Sequence, residues 1–117
     1  MREKIQHRTK KLGMEVILLT AFLPKTVTGS IIGKQIIRCA TSIGANYRAA
    51  CRARSVPDFV NKLKIVEEET DETLYWLEII DELKLIETSK IILVKKEVIE
   101  ILSIIVATIK TIKNKNC

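Results

Sequence analysis

The sequence predicts an all-α protein: one domain, residues 1–117, folded as an up-and-down antiparallel four-helix bundle. Three observations lead there. The chain is 47% hydrophobic but only 4% aromatic, so its core must be aliphatic. It holds only 4 Gly and 2 Pro, and so few turn-formers favour a few long helices over many short strands. Apolar residues recur at three- and four-residue spacing through four segments, and the connections between them are short and carry caps or breakers.

The first helix is expected over about residues 5–23, on the line Ile5, Leu12, Val16, Leu19 and Leu23. Pro24 ends it, because proline lacks the backbone donor and disfavours helix in the residue before it. A second helix is expected over 30–53, with Ser30 as N-cap and a stripe of Ile32, Ile36, Cys39, Ile43, Tyr47 and Ala50. Beside that stripe sit Ala40, Gly44, Ala45, Ala49 and Ala53, small enough for another helix to come close.

Ser55-Val56-Pro57-Asp58 is the clearest start signal. Ser55 can cap the Asp58 amide, Pro57 sacrifices no internal hydrogen bond, and the Asp58 carboxylate suits the positive helix end. The third helix is expected over 56–85, with the core line Phe59, Leu63, Val66, Thr70, Thr73, Leu77 and Ile80. Thr88-Ser89 offers a cap for a fourth helix over 90–112, and the terminal residues from Lys113 to Cys117 are expected to fray. Ile91, Val94, Val98, Ile101, Leu102, Ile105, Ile109 and Ile112 line the fourth helix, while Ile92, Ile99, Ile104 and Val106 cover its other sides. A helix this apolar around its girth needs burial on more than one face, which predicts self-association.

No targeting or membrane-spanning segment is expected. The longest uncharged stretch near the C-terminus, Ile101 to Ile109, is closed by Glu100 and Lys110 and is too short to cross a bilayer. Cys39 and Cys51, twelve residues apart on one helix, point about 120° from each other and share neither a disulfide nor a metal within it. With Cys117 they form no CxxC pair, and the expectation is a reduced, cytoplasmic protein. No metal or cofactor is expected: bundle di-metal sites use Glu-x-x-His pairs, and the single histidine, His7, follows Gln6 near the terminus. Arg2 and His7 show the R-x4-H spacing of a family of bundle-fold ribonucleases, but that family carries the pair inside a late helix. Here it is read as chance, and the protein is expected not to be an enzyme.

Charge is segregated. The second helix carries Lys34, Arg38, Arg48 and Arg52 with no acid, and these four fall within an arc of about 80° opposite the apolar stripe. Arg54 extends the positive charge into the next connection. From residue 56 to 87 ten acids face three lysines, −7, so the rest of the chain sums to +13 within a net +6. Glu69 and Glu72 fall within the apolar sector of the third helix that holds Ile65, Trp76, Ile79 and Leu83. A carboxylate there needs a partner across a helix or subunit boundary.

Specific stretches carry a resemblance. Leu23-Pro24-Lys25, Gly33 to Arg38, Thr41-Ser42-Ile43-Gly44-Ala45-Asn46-Tyr47-Arg48-Ala49-Ala50, Arg52 to Ser55 and Glu67 to Thr73, ending in Tyr75-Trp76-Leu77-Glu78, resemble the 23S ribosomal RNA intervening-sequence proteins of bacteria. The likeness is strong from Leu23 to Glu78 and reduces to hydrophobic pattern in the fourth helix. It implies an up-and-down four-helix bundle assembled as a ring-shaped homopentamer. A related bundle, the accessory variability determinant of diversity-generating retroelements, uses a basic surface to engage RNA or DNA and a reverse transcriptase. The family brings no catalytic residues to carry over.

Two functions therefore compete. In the first, Lys34, Arg38, Arg48, Arg52 and Arg54, with the lysine-rich termini, bind RNA or DNA. In the second, the protein is a structural or protein-interaction module. Its basic residues are then consumed by third-helix carboxylates, Glu69 and Glu72 among them, and stabilise the oligomer.

Overall fold

The computed structural model describes residues 1–115, and among these there are four α-helices and no strand. They are α1 (Arg2–Leu19), α2 (Val27–Ala50), α3 (Val56–Glu82) and α4 (Thr88–Lys115), with a 3-10 turn at Thr20–Phe22. Consecutive helices pack side by side, and α4 closes against α1. The register of α1 on α2 shows the antiparallel sense. A Cβ on Gly13 would meet Ala40 and Thr41 at 3.5 Å, whereas one on Gly44 would meet the backbone of Thr9 and Lys10 at 3.3 Å. The bundle measures 48 × 21 × 19 Å, so its long axis is set by helices such as α4, about 42 Å at 1.5 Å per residue. No helix among the described residues is long and apolar enough to cross a membrane.

Helix ends differ from the expected ones, each for a local reason. Helix α1 begins at Arg2 rather than near Ile5, and its last turn tightens to 3-10 geometry at residues 20–22 before Pro24. Helix α2 begins at Val27, not Ser30, because the Thr26 hydroxyl accepts from the Gly29 amide at 3.1 Å and caps first. It stops at Ala50, not Ala53, with Cys51 as C-cap. The Ser55 cap is where the sequence places it, its hydroxyl accepting from the Asp58 amide at 3.2 Å.

Helix α3 ends at Glu82, short of Leu85. Lys84 turns to φ 57°, its amide donates to Asp81, and the Leu85 amide reaches back to Ile80 at 2.9 Å. This is a Schellman closure, with Leu85 packed on the core beneath it. Thr88 is already the first residue of α4, and its hydroxyl donates to Asp81 at 2.6 Å instead of capping. At the other end α4 continues through Lys115, beyond the expected stop at Ile112, so Lys113 to Lys115 are helical. Cys117 lies outside the described residues.

The core is one aliphatic seam. Leu12, Val16, Ile36, Ile43, Leu63, Val66, Leu77, Val98, Ile101 and Ile105 are essentially inaccessible. Val60 rather than Phe59 opens the α3 line, and Phe59 lies half-buried with the Arg2 guanidinium 4.6 Å from its ring centre. Three threonines are fully buried without penalty, since each hydroxyl returns to its own helix: Thr9 to Ile5, Thr70 to Val66 and Thr73 to Glu69. The α1–α4 seam is tied by Arg8, which grips both carboxylate oxygens of Glu97 at 3.0 and 2.6 Å and also meets Glu100 at 3.3 Å.

Two substitutions separate glycine's roles. At Gly29 an added Cβ would lie 2.0 Å from the Pro24 carbonyl oxygen, so Gly29→Ala is expected to destabilise by about 1–3 kcal/mol. Lys84, held in left-handed geometry, is expected to gain about 1 kcal/mol on replacement by glycine, both read from denaturant unfolding at fixed protein concentration. The Arg8 hydrogen bonds hold the Glu97 pKa below its ordinary value, outweighing partial burial. A carboxylate depressed in the folded state stabilises above its unfolded pKa, and that contribution is lost as pH falls through the folded one. Glu97→Gln should therefore be less stable than the parent at pH 7, with the gap closing as the pH drops below the ordinary glutamate range.

Candidate nucleic-acid interface

Helix α2 turns its apolar stripe inward, leaving Lys34, Arg38 and Arg48 exposed, with Thr41 and Ala45 between them also exposed. Arg52, expected on the same helix, is exposed in the turn just beyond it, because α2 stops at Ala50. Arg54 stands exposed in the α2–α3 connection, where its backbone amide faces the Asp58 carboxylate at 3.4 Å. The five candidate cations are thus all at the surface, yet they differ in what surrounds them.

Arg38 is engaged. Its guanidinium contacts Glu72 directly and Glu69 at 3.4 Å, bridging α2 to α3. Glu72 also accepts from the Trp76 indole at 3.3 Å, which fixes that carboxylate against the half-buried ring. Glu69 and Glu72 are partly buried, with 19% and 35% of their side chains accessible, and Arg38 supplies the partner that a carboxylate there requires. Behind this cluster Cys39 is buried, with Thr73 Oγ1 3.3 Å from its sulfur. Burial pushes the Cys39 thiol pKa up, which makes it an inert packing group rather than a nucleophile.

Lys34, Arg48 and Arg52 make no ion pair among the described residues, and neither does the Arg54 side chain. The acids of α3 therefore reach Arg38 alone, and neither Arg48 on α2 nor Arg52 just beyond it. The helix register explains this: Arg38 lies level with residues 69–72, where the carboxylates cluster, whereas Arg48 lies ten residues further along α2, in a groove against α1, and the first turns of α3 carry only Asp58. Asp58 is already held by Lys62 at 2.7 Å.

The neighbouring helix contributes cations that a reading of α2 alone misses. Gly13 and Gly44 bring α1 and α2 so close that a groove of about 270 Å³ forms over them, lined by Lys10 from α1 and Arg48 from α2. Arg2 and Arg54 likewise share a second cavity at the end of the bundle. The small residues at 40 and 44 were the available signal, since they mark where another helix and its charges would lie. His7 is exposed and makes no hydrogen bond or ion pair among the described residues, while its R-x4-H companion Arg2 is turned onto Phe59. No group of three metal-ligating side chains occurs among the described residues.

The remaining polar candidates are satisfied locally. Asn46 donates to the Ser42 carbonyl and hydroxyl, and Tyr47 is buried, its phenol pushed up to about 12 chiefly by that burial. Cys51 is partly buried and unbridged.

Comparison with known proteins accords with this architecture. A crystal structure of a protein of unknown function from the S23 ribosomal protein family of Bacteroides thetaiotaomicron is similar at 33% identity. It matches 91% of this chain and 98% of its own, with a TM-score of 0.84. No match is found among curated proteins. The family described as 23S rRNA-intervening sequence protein matches residues 2–107, and the chain belongs to that family.

Proposed function

We propose that this protein is a non-enzymatic, oligomeric bundle that binds the phosphate backbone of RNA or other nucleic acid through the basic surface of α2. The observation that carries the reading is the unpaired set Lys34, Arg48, Arg52 and Arg54, exposed on and beside a helix without a single acid. Cations that exist to fix helix order end up in ion pairs, as Arg38 does; none of these forms one among the described residues, and Arg54 alone has a carboxylate near it, that of Asp58, which Lys62 already holds. Lysine and arginine left in solvent on one face release counterions from a polyanion when they meet it, which favours binding at low salt.

Self-association belongs to the same proposal, with the ring-shaped homopentamer as its form. Ile92, Ile99 and Val106 recur at seven-residue spacing along α4 and remain 50%, 46% and 42% exposed. Met14, Ile17 and Leu18 on α1, with Phe22 in the 3-10 turn after it, form a second exposed apolar strip. A closed ring needs two different complementary faces on each subunit, and these are two. The remaining reading is a structural module with no nucleic-acid role, favoured by the Arg38 bridge to Glu69 and Glu72.

Titrating a structured RNA against the protein at two salt concentrations is expected to show binding that weakens steeply at the higher one; absent or salt-insensitive binding would rule the proposal out. Light scattering at micromolar concentration should give about five times the 13.3 kDa chain mass, and a monomer would show that the α4 strip faces water. Arg48→Glu is expected to lower RNA affinity while leaving the assembly intact. The opposite pattern would favour the structural module.

A further inference from the structure

The alternation of helix directions sorts charge along the bundle axis as well as between helices. The N-terminal ends of α1 and α3 and the C-terminal ends of α2 and α4 come together at one end. Arg2 of α1 stacks on Phe59 of α3, and Lys113 of α4 lines a cavity with Val56 and Pro57. Residues 1–7, 48–64 and 110–115 make up this end and hold ten Lys and Arg against two carboxylates, Glu3 and Asp58, a formal +8. The rest of the chain holds ten against twelve, −2, and the two parts give the net +6. One end therefore carries more than the whole excess charge of the protein.

The flank repels what this end attracts. Glu67, Glu68 and Asp71 lie at mid-height on α3, Glu68 and Asp71 exposed, and none makes an ion pair among the described residues. A phosphate chain approaching along the α3 side meets like charge, whereas one approaching the end meets none that outweighs the cations. Within the end, Arg2, Arg54, Ser55 and Phe59 line a cavity of about 280 Å³ that has no carboxylate in its walls. The cation–π contact on Phe59 anchors Arg2 there, so part of the entropy of ordering its side chain is already spent before a ligand arrives.

We propose that a nucleic-acid backbone docks on this basic end, with a phosphate seated between Arg2 and Arg54 and Arg48, Arg52 and Lys113 flanking it. The inference rests on the nucleic-acid reading above and places the centre of its surface at the end where Arg48, Arg52 and Arg54 lie, with Lys34 an outlying contact further back along α2. An anionic membrane is the less suitable partner. Interfacial segments bury apolar side chains beside their cations, and the only large apolar residues exposed here are Met1 and Val56.

The test compares Arg2→Gln, Arg54→Gln and their combination with Lys96→Gln and Lys25→Gln, using a labelled RNA hairpin and a DNA duplex over a range of salt. Circular dichroism and scattering mass check that each variant keeps its fold and assembly. Removing Arg2 and Arg54 together is expected to weaken binding at least tenfold and to lower the slope of log affinity against log salt by about one to two, whereas the Lys96 and Lys25 variants, exposed away from the basic end, bind as the parent does. If the parent binds but Lys96→Gln costs as much as Arg54→Gln, the end-on site is wrong while nucleic-acid binding stands. Failure of the parent to bind either nucleic acid overturns both. Tighter capture of phosphatidylserine vesicles than of RNA through the same arginines would overturn the choice of partner.

Discussion

A core made of Ile, Leu and Val with almost no aromatic side chains cannot be thick, so it has to be long. That constraint governs the rest of this molecule. Each helix contributes one narrow row of medium-sized side chains, and enough apolar area is buried only by extending the rows for six or seven turns. Helices of 24, 27 and 28 residues follow, as does a body more than twice as long as it is wide. Where even aliphatic side chains would hold the backbones too far apart, Gly13, Ala40 and Gly44 let α1 settle onto α2.

Length also decides what charge can do. In a short bundle, opposite charges on neighbouring helices fall within reach of one another and cancel. Here α2 and α3 run antiparallel, and the acids of α3 are concentrated in its middle. Only Arg38 is level with them. Arg48 further along α2, and Arg52 and Arg54 just beyond it, are carried past the acids to the end of the bundle, where they meet the basic ends of α1 and α4. The same arrangement leaves Arg8 paired with Glu97 and Glu100 in the α1–α4 seam, so a cation near the basic end in sequence is structural in place.

The two kinds of cation do different work for a physical reason. A guanidinium shared between Glu69 and Glu72 satisfies carboxylates that burial has partly stripped of water; its contribution is to permit that burial and to set the α2–α3 register. A cation with no carboxylate partner gains no ion pair from folding and adds to self-repulsion where the ten lysines and arginines of the basic end, of which only Lys62 is paired, are crowded together. Repulsion of this sort persists in a folded protein when an external polyanion relieves it, which is the physical basis for assigning the basic end to binding.

Helix number, order and the aliphatic seam were legible in the sequence, because spacing of apolar residues and the Ser55-Pro57-Asp58 start signal are local properties. The ends of α2 and α3 were less so: Thr26 and Ser30 are both competent caps, and only the fit of Gly29 against Pro24 decides between them. All five candidate cations could be named from α2 and the connection after it. Which of them is paired could not, since that depends on how far α2 slides along α3. The sequence by itself determined that charge would be divided between helices. Only the tertiary structure decided that it would also be divided between the ends, because that division arises from alternating chain direction and from side chains more than forty residues apart, such as Arg2 and Arg54, meeting in one cavity.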